Sequence, residues 1–327
     1  MKRREFITVL SGAAASHAFL PLVARAQQAR PIVVFLRATP LADVPHLVAA
    51  FREGMKEAGF VRDENVSIEL LSAEGRPDRF RELVADLVRR PVAVIVTETA
   101  AALAVKAATQ TIPIVFTTGS DPVQTGLVTS LNRPGGNVTG VVFFNSLLAA
   151  KRLELLHQLV PKTAKIAMLV NPNYPNTEIE RREVQTAARA VGQELMVMDV
   201  SSVADIEAAF ATFAERGIGA LFAGSGAFLN SNQKRIVALA AQHKLPASYS
   251  WREAVDAGGL MSYGASQPDA YRQAGVYAGR ILKGERPGDL PVIQSTKFEF
   301  VINLKTAKTL GLEFHPQLLA TADEVIE

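Results

Sequence analysis

Short apolar runs of five or six residues alternate with longer amphipathic stretches through most of this chain, and no other feature restricts the fold so tightly. Ile32 to Leu36, Val66 to Leu71, Val92 to Val96 and Ile112 to Phe116 are too short for buried helices and lack the alternation of half-exposed strands. They read as central strands. Between them lie helical stretches, the first carrying Val44, Leu47, Val48, Phe51 and Met55 on one stripe and stopping at Gly59. The second has Pro77 and Asp78 in its first turn, and an Ala-rich third runs from about Ala100 to Ala108. Strands that alternate with helices form a parallel sheet covered on both faces.

The same rhythm restarts after the turn Asn132-Arg133-Pro134-Gly135-Gly136. Strands are expected at Val138 to Phe143, Ile166 to Val170, Leu195 to Val200, Ile218 to Phe222, Leu245 to Ser248 and Gly259 to Tyr263, with helices between them. The tail departs from simple alternation. A helix over 267–283 precedes the loop Arg286-Pro287-Gly288-Asp289-Leu290-Pro291, a strand Lys297 to Ile302, and short helical pieces over Leu304 to Leu310 and Pro316 to Ile326. Two α/β units fit a chain of this length better than one core does.

Residues 1–26 stand apart from the fold. Lys2, Arg3 and Arg4 form a positive start, Phe6 to Val23 a mildly apolar centre, and Ala24-Arg25-Ala26 an A-x-A cleavage site. This is an export signal of the twin-arginine or the Sec type, and the run is too short and interrupted to span a bilayer. The segment also carries the charge imbalance. It holds four of the 35 basic and one of the 32 acidic side chains, so the remainder has 31 of each. A nucleic-acid partner is therefore not expected, nor stable membrane insertion after signal cleavage. The chain has no cysteine, which excludes disulfides, thiolate metal sites and lipid attachment at the cleavage site.

Catalytic patterns are missing. His46, His157, His243 and His315 form no H-E-x-x-H pair, and Gly224-Ser225-Gly226 lacks the spacing of a nucleophile elbow. Neither a G-x-G-x-x-G nor a P-loop occurs, and Asp121 has no evident partner acid. No enzyme activity, no cofactor and no metal are expected. The polar residues at strand ends point instead to ligand binding, because ligands of open parallel sheets sit beyond the carboxyl ends of the strands. Thr97 and Thr99 precede a helix whose free N–H groups favour an anion, although either threonine could simply cap that helix. Thr118, Ser120 and Asp121 end the next strand. Tyr174, Tyr249 and Tyr263 each follow a strand of the second unit and could give flat apolar walls.

The segments SDPVQTGLVTSLNRPGGNVTG, LPASYSWREAVDAGGLMSYG, DAYRQAGVYAGRILKGERPGDLPV and KFEFVINLKTAKTLGL closely resemble the ABC-transporter substrate-binding proteins, in the family with tryptophan- and aromatic-amino-acid-binding members. The resemblance covers nearly the whole chain after residue 26. It implies a type I periplasmic-binding-protein fold, with two doubly wound flavodoxin-like α/β lobes closing on a small molecule. The expected division is 30–138 plus 264–292 for the first lobe and 139–263 plus 296–327 for the second, with crossings near Val138, Gly264 and Leu290 to Thr296. The ligand would meet Thr39, Thr97, Thr99, Thr118, Ser120 and Asp121 from the first lobe. Asn145, Asn171, Ser225, Tyr249 and Tyr263 would approach from the second. Glu98 departs from the small-residue turn of relatives and should point away from a ligand carboxylate. The expected function is a monomeric periplasmic receptor that delivers an amino acid or organic acid, aromatic ones included, to an inner-membrane ABC permease. A ligand sensor acting on a signalling partner and an exported enzyme are the alternatives.

Overall fold

The computed structural model describes residues 30–327; the expected export signal, residues 1–26, lies outside the described residues. Among the described residues thirteen strands fall into two sheets. They are β1 Ile32–Arg37, β2 Ser67–Ser72, β3 Val92–Glu98, β4 Ile114–Thr118, β5 Val138–Val142, β6 Lys165–Val170, β7 Glu194–Asp199, β8 Ala220–Ala223, β9 Ala247–Tyr249, β10 Met261–Ala265, β11 Ile293–Gln294, β12 Phe298–Asn303 and β13 Glu324–Ile326. The first sheet has the order β11-β5-β4-β3-β1-β2 and the second β13-β12-β10-β9-β8-β6-β7. Every pairing is parallel except that of β10 with β12.

Each sheet is covered on both faces by its own helices, so each lobe has two apolar layers. In the first lobe, Val33, Phe35, Val94, Val96 and Val115 face one layer, and Val34, Leu36, Ile95, Ile114 and Phe116 face the other. Alternate residues of one strand thus feed opposite layers, which is why these strands are apolar throughout. In the second lobe, Ile166, Met168 and Val170 face one layer and Ala167 and Leu169 the other.

The helix Gln267–Leu282 follows the last long strand of the first pass through the second lobe, yet its Ala270, Tyr271, Ala274, Ala278 and Ile281 lie in the first lobe's core. It packs there on the helix Pro45–Glu57 at very short range. A Cβ on Gly275 would sit 2.2 Å from the Phe51 carbonyl oxygen, so only glycine permits this crossing. The chain then returns through β11 in the first sheet to β12 in the second.

Three expectations are corrected. The strand Val138–Val142 belongs to the first sheet, where Val138 pairs with Ile114 and Val142 with Thr118, so the first crossing follows it at 143–148. The turn before a strand does not reveal which sheet the strand will join; its hydrogen-bonding partner does. β4 occupies Ile114–Thr118 instead of ending at Phe116, which draws Thr117 and Thr118 into the ladder. The terminal segment is not helical to its end: after the short helix Pro316–Leu319, residues Glu324–Ile326 add a parallel edge strand to β12. Among the described residues no helix is long and apolar enough to cross a membrane.

Candidate functional site

The carboxyl ends of both sheets face one another, and loop residues beyond them touch. The Asn176 side-chain amide, past β6, donates to the Gly119 carbonyl, past β4, at 2.9 Å, and the Tyr174 hydroxyl approaches the same oxygen at 3.4 Å. Burial pushes the Tyr174 pKa up to about 12, so this phenol stays a donor at physiological pH. At the opposite rim, His46 Nε2 lies 2.8 Å from a Glu253 carboxylate oxygen, and Phe143 meets Trp251 edge-on with centroids 5.4 Å apart.

On the first-lobe side, β1 ends in Arg37 and β3 in Glu98. The Arg37 guanidinium donates to the Tyr271 hydroxyl at 2.8 Å, to the Thr39 hydroxyl at 2.8 and 3.2 Å, and lies 3.2 Å from Glu98. The other Glu98 oxygen accepts the Ala38 N–H at 2.9 Å. Burial raises the Glu98 pKa, and the charge of Arg37 only partly opposes it. Because Glu98 folds back onto β1, the helix Thr99–Ala108 begins with no side-chain cap. At that start, the Thr99 and Thr118 hydroxyls are hydrogen-bonded at 2.7 Å, and Thr118 Oγ1 also accepts the Ser120 N–H at 3.0 Å. Uncapped N–H groups beside two hydroxyls attract an anion, and the helix dipole adds to this.

On the second-lobe side lies a closed circuit of four side chains. Arg152 and Glu180 are each 1% exposed and 3.1 Å apart. Arg152 also donates to the Ala223 carbonyl at 2.9 Å and to the Ser250 hydroxyl, and its guanidinium lies 3.8 Å from the centre of the Phe222 ring. Glu180 accepts the Ser225 hydroxyl at 2.7 Å and the Ser225 N–H at 2.8 Å, and the two serine oxygens are 2.9 Å apart. Counting protons fixes the directions. Ser225 gives its proton to Glu180, Ser250 accepts from Arg152, and Ser250 therefore gives its own proton to Ser225. Neither serine has a donor left; each keeps one lone pair. Burial lowers the Arg152 pKa to about 10 against the opposing pull of Glu180, so the guanidinium remains charged at neutral pH.

The sequence-derived residues separate into two groups. Thr39, Thr99, Thr118, Ser120, Asn145 and Ser225 lie at or just past strand carboxyl ends, where the lobes meet. Asp121 is there too, but its Oδ1 accepts the Val123 and Gln124 N–H groups and so holds its own turn. Asn171 likewise accepts the Asn173 N–H at 2.8 Å. Three residues are not brought to the cluster. Thr97 is 1% exposed inside β3 and donates to the Leu36 carbonyl at 2.9 Å, so it is neither cap nor contact. Tyr249 packs among Ile236, Ala240 and Ala254 in the second lobe's core. Tyr263 lies at mid-strand against Phe298 and Phe300, on a sheet face. Period-two alternation turns Tyr249, the last residue of its strand, toward a sheet face, and Tyr263 is carried off the edge because β10 runs on to Ala265.

Arg37, Tyr271, Arg152, Glu180, Ser250 and Asn176 went unnoticed in the sequence. A signal for two of them existed. Arg152 sits in the stripe Ala149, Leu153, Leu156, and Glu180 in Thr177, Val184, Ala188, both otherwise buried. A charge within an apolar stripe implies a buried partner.

The profile of ABC transporter substrate binding proteins matches residues 42–326. A tyrosine-binding protein of Clostridioides difficile is 27% identical over 264 residues, which are 80% of this chain and 76% of that protein. The crystal structure of the ABC domain in complex with L-Trp from Streptococcus pneumoniae superposes with a TM-score of 0.80 at 26% identity, covering 91% of this chain and all of that one. A conserved domain protein of Vibrio cholerae gives 0.79 at 26% identity, over 90% and 99% of the two chains. With two interwoven α/β lobes, facing strand ends and a match across nearly its whole described length, this chain belongs to the family of ABC transporter substrate binding proteins and has their two-lobed type I periplasmic-binding-protein fold.

Proposed function

We propose that this protein is exported to the periplasm, captures a free amino acid with an aromatic side chain, and presents it to an inner-membrane ABC permease. The observation that carries the ligand class is the uncapped start of the helix Thr99–Ala108 with the Thr99–Thr118 hydroxyl pair beside it. This is a place for a carboxylate. The Ser225–Ser250 pair offers only lone pairs, which suit the N–H donors of an ammonium group. A zwitterion is thereby oriented with its carboxylate toward the first lobe and its ammonium toward the second. Phe143, Tyr174 and Trp251 supply aromatic surface between the rims. The tyrosine- and tryptophan-binding relatives support the same class, and the apparent A-x-A cleavage site supports export.

A ligand that touches both lobes favours the closed arrangement through contacts the open one cannot make, and the permease would read that closure. Titration calorimetry with the processed protein should find binding of L-tyrosine or L-tryptophan, and not of sugars. Replacing Thr99 and Thr118 together by valine should weaken it by one to two charge-assisted hydrogen bonds, each about 1.5–3 kcal/mol. Unchanged affinity in that variant would sink the carboxylate site. Uptake that persists without the protein would sink the transport role.

A further inference from the structure

Asn145 lies at the first crossing, three residues past the end of β5, and is 4% exposed. Its side-chain oxygen accepts the backbone N–H of Ala265, the last residue of β10, at 2.8 Å. Ala265 belongs to the second crossing, where the chain leaves the second sheet. One side chain therefore ties two of the three connections between the lobes. The third is tied to the second next door, since the Ser266 N–H donates to the Lys297 carbonyl at 2.8 Å.

The bond to Ala265 also fixes the orientation of the carboxamide. A backbone N–H can be satisfied only by the oxygen, so the NH2 group faces the other way. There it is fully buried and meets no acceptor within the protein. Buried donors without partners are rare and costly, and one at the junction of two strand carboxyl edges calls for a functional explanation. The surroundings say what kind. Gly264, beside Ala265, comes so close that a Cβ on it would lie 2.0 Å from the Ser250 carbonyl oxygen and 3.3 Å from the Asn145 side-chain oxygen. Asn145 thus lies across Gly264 from the backbone of Ser250. On its other side, the Phe143 N–H donates to the Thr118 carbonyl at 2.8 Å, which ties the start of this crossing to the end of β4; the head group of an amino acid offers such a donor only its carboxylate as an acceptor.

We propose that the Asn145 NH2 group binds a carboxylate oxygen of the ligand, so that one side chain holds the ligand and the hinge at once. The assignment rests on the amino-acid reading above and sharpens it. Ligand binding then satisfies the second half of the carboxamide that already ties the two crossings, which couples occupancy directly to the hinge. Asn145 is a positioning residue for closure as well as a ligand contact.

The variant Asn145→Asp keeps an oxygen for the Ala265 N–H and replaces the donor by a second acceptor that repels a carboxylate. The full-length processed protein and this variant would be titrated with L-tyrosine and L-tryptophan, and with tyramine and tryptamine, which lack the carboxylate. We expect at least a tenfold loss of affinity for the amino acids, a much smaller loss or a gain for the amines, and a melting midpoint within about 2 °C of wild type. Equal losses for acids and amines, or affinity within twofold of wild type, would overturn the assignment. If Asn145→Asp does not fold, Asn145→Ser, which has a donor too short to reach, is carried through the same four ligands with the same criteria. Wild-type protein that binds no amino acid would remove the ligand reading, and this assignment with it. Wild-type protein that binds while the variants bind equally well would remove this assignment alone.

Discussion

Each lobe sets an arginine–glutamate pair at the carboxyl end of its sheet, and the two pairs are built differently. Arg152 and Glu180 are 1% exposed, and nearly every proton and lone pair is engaged in a circuit with Ser225, Ser250 and Ala223. Arg37 and Glu98 keep 13% and 20% of their side chains exposed, with Tyr271 and Thr39 around the guanidinium. Dry and almost completely bonded, the second-lobe pair acts as a fixed strut whose charges largely cancel each other. The first-lobe pair diverts Glu98 from the helix start it would otherwise cap, and leaves that start open for an anion. The same two residue types thus build a floor in one lobe and clear the proposed carboxylate site in the other; burial and the number of partners separate the roles.

The largest effect expected from this contrast is at Arg152. Arg152→Met strands a buried Glu180 carboxylate and should cost about 3–5 kcal/mol in chemical denaturation, whereas Arg152→Met with Glu180→Leu should recover most of it. A double variant as unstable as the single one would show that the pair supplies net stability and is no mere strut. Arg37→Met should cost less, about 2 kcal/mol, because solvent reaches the carboxylate it abandons. If the two arginine variants lose the same stability, exposure does not distinguish the pairs.

The titration of Glu98 gives a sharper and smaller test. Its folded pKa is raised above the ordinary 4.5 by burial, so the native state holds its proton to higher pH than the unfolded chain does. Stability from this group is therefore greatest below about pH 4.5 and declines as pH rises through the folded value. The difference in unfolding free energy between wild type and Glu98→Gln should fall with pH across that window. A flat or rising difference would place Glu98 in an ordinary solvated pair. The smallest effect is reserved for Thr97. Thr97→Val removes only its bond to the Leu36 carbonyl, at about 1 kcal/mol of stability, and should leave ligand affinity untouched. A loss of affinity in that variant would return Thr97 to the site.

What the sequence determined by itself was the parallel α/β character, the two-lobe arrangement and the gathering of polar residues at the carboxyl edges of the strands. These follow from periodicity and from runs of Val, Ile and Leu, which are local quantities. It also put Thr39, Thr99, Thr118, Ser120, Asn145 and Ser225 at or near strand carboxyl ends, because residues just past an apolar strand sit there whatever surrounds them. Only the tertiary structure decided that Val138–Val142 joins the first sheet, since a strand's partner is a long-range matter. The same holds for the direction of a side chain. Thr97 is one residue before the end of its strand and Tyr249 is the last of its own, and pleating turns both into the protein. The charge pairs were hidden most deeply. Arg37 meets Tyr271 across 234 residues and Arg152 meets Ser250 across 98, and no local pattern can record a bond that only chain crossing brings about.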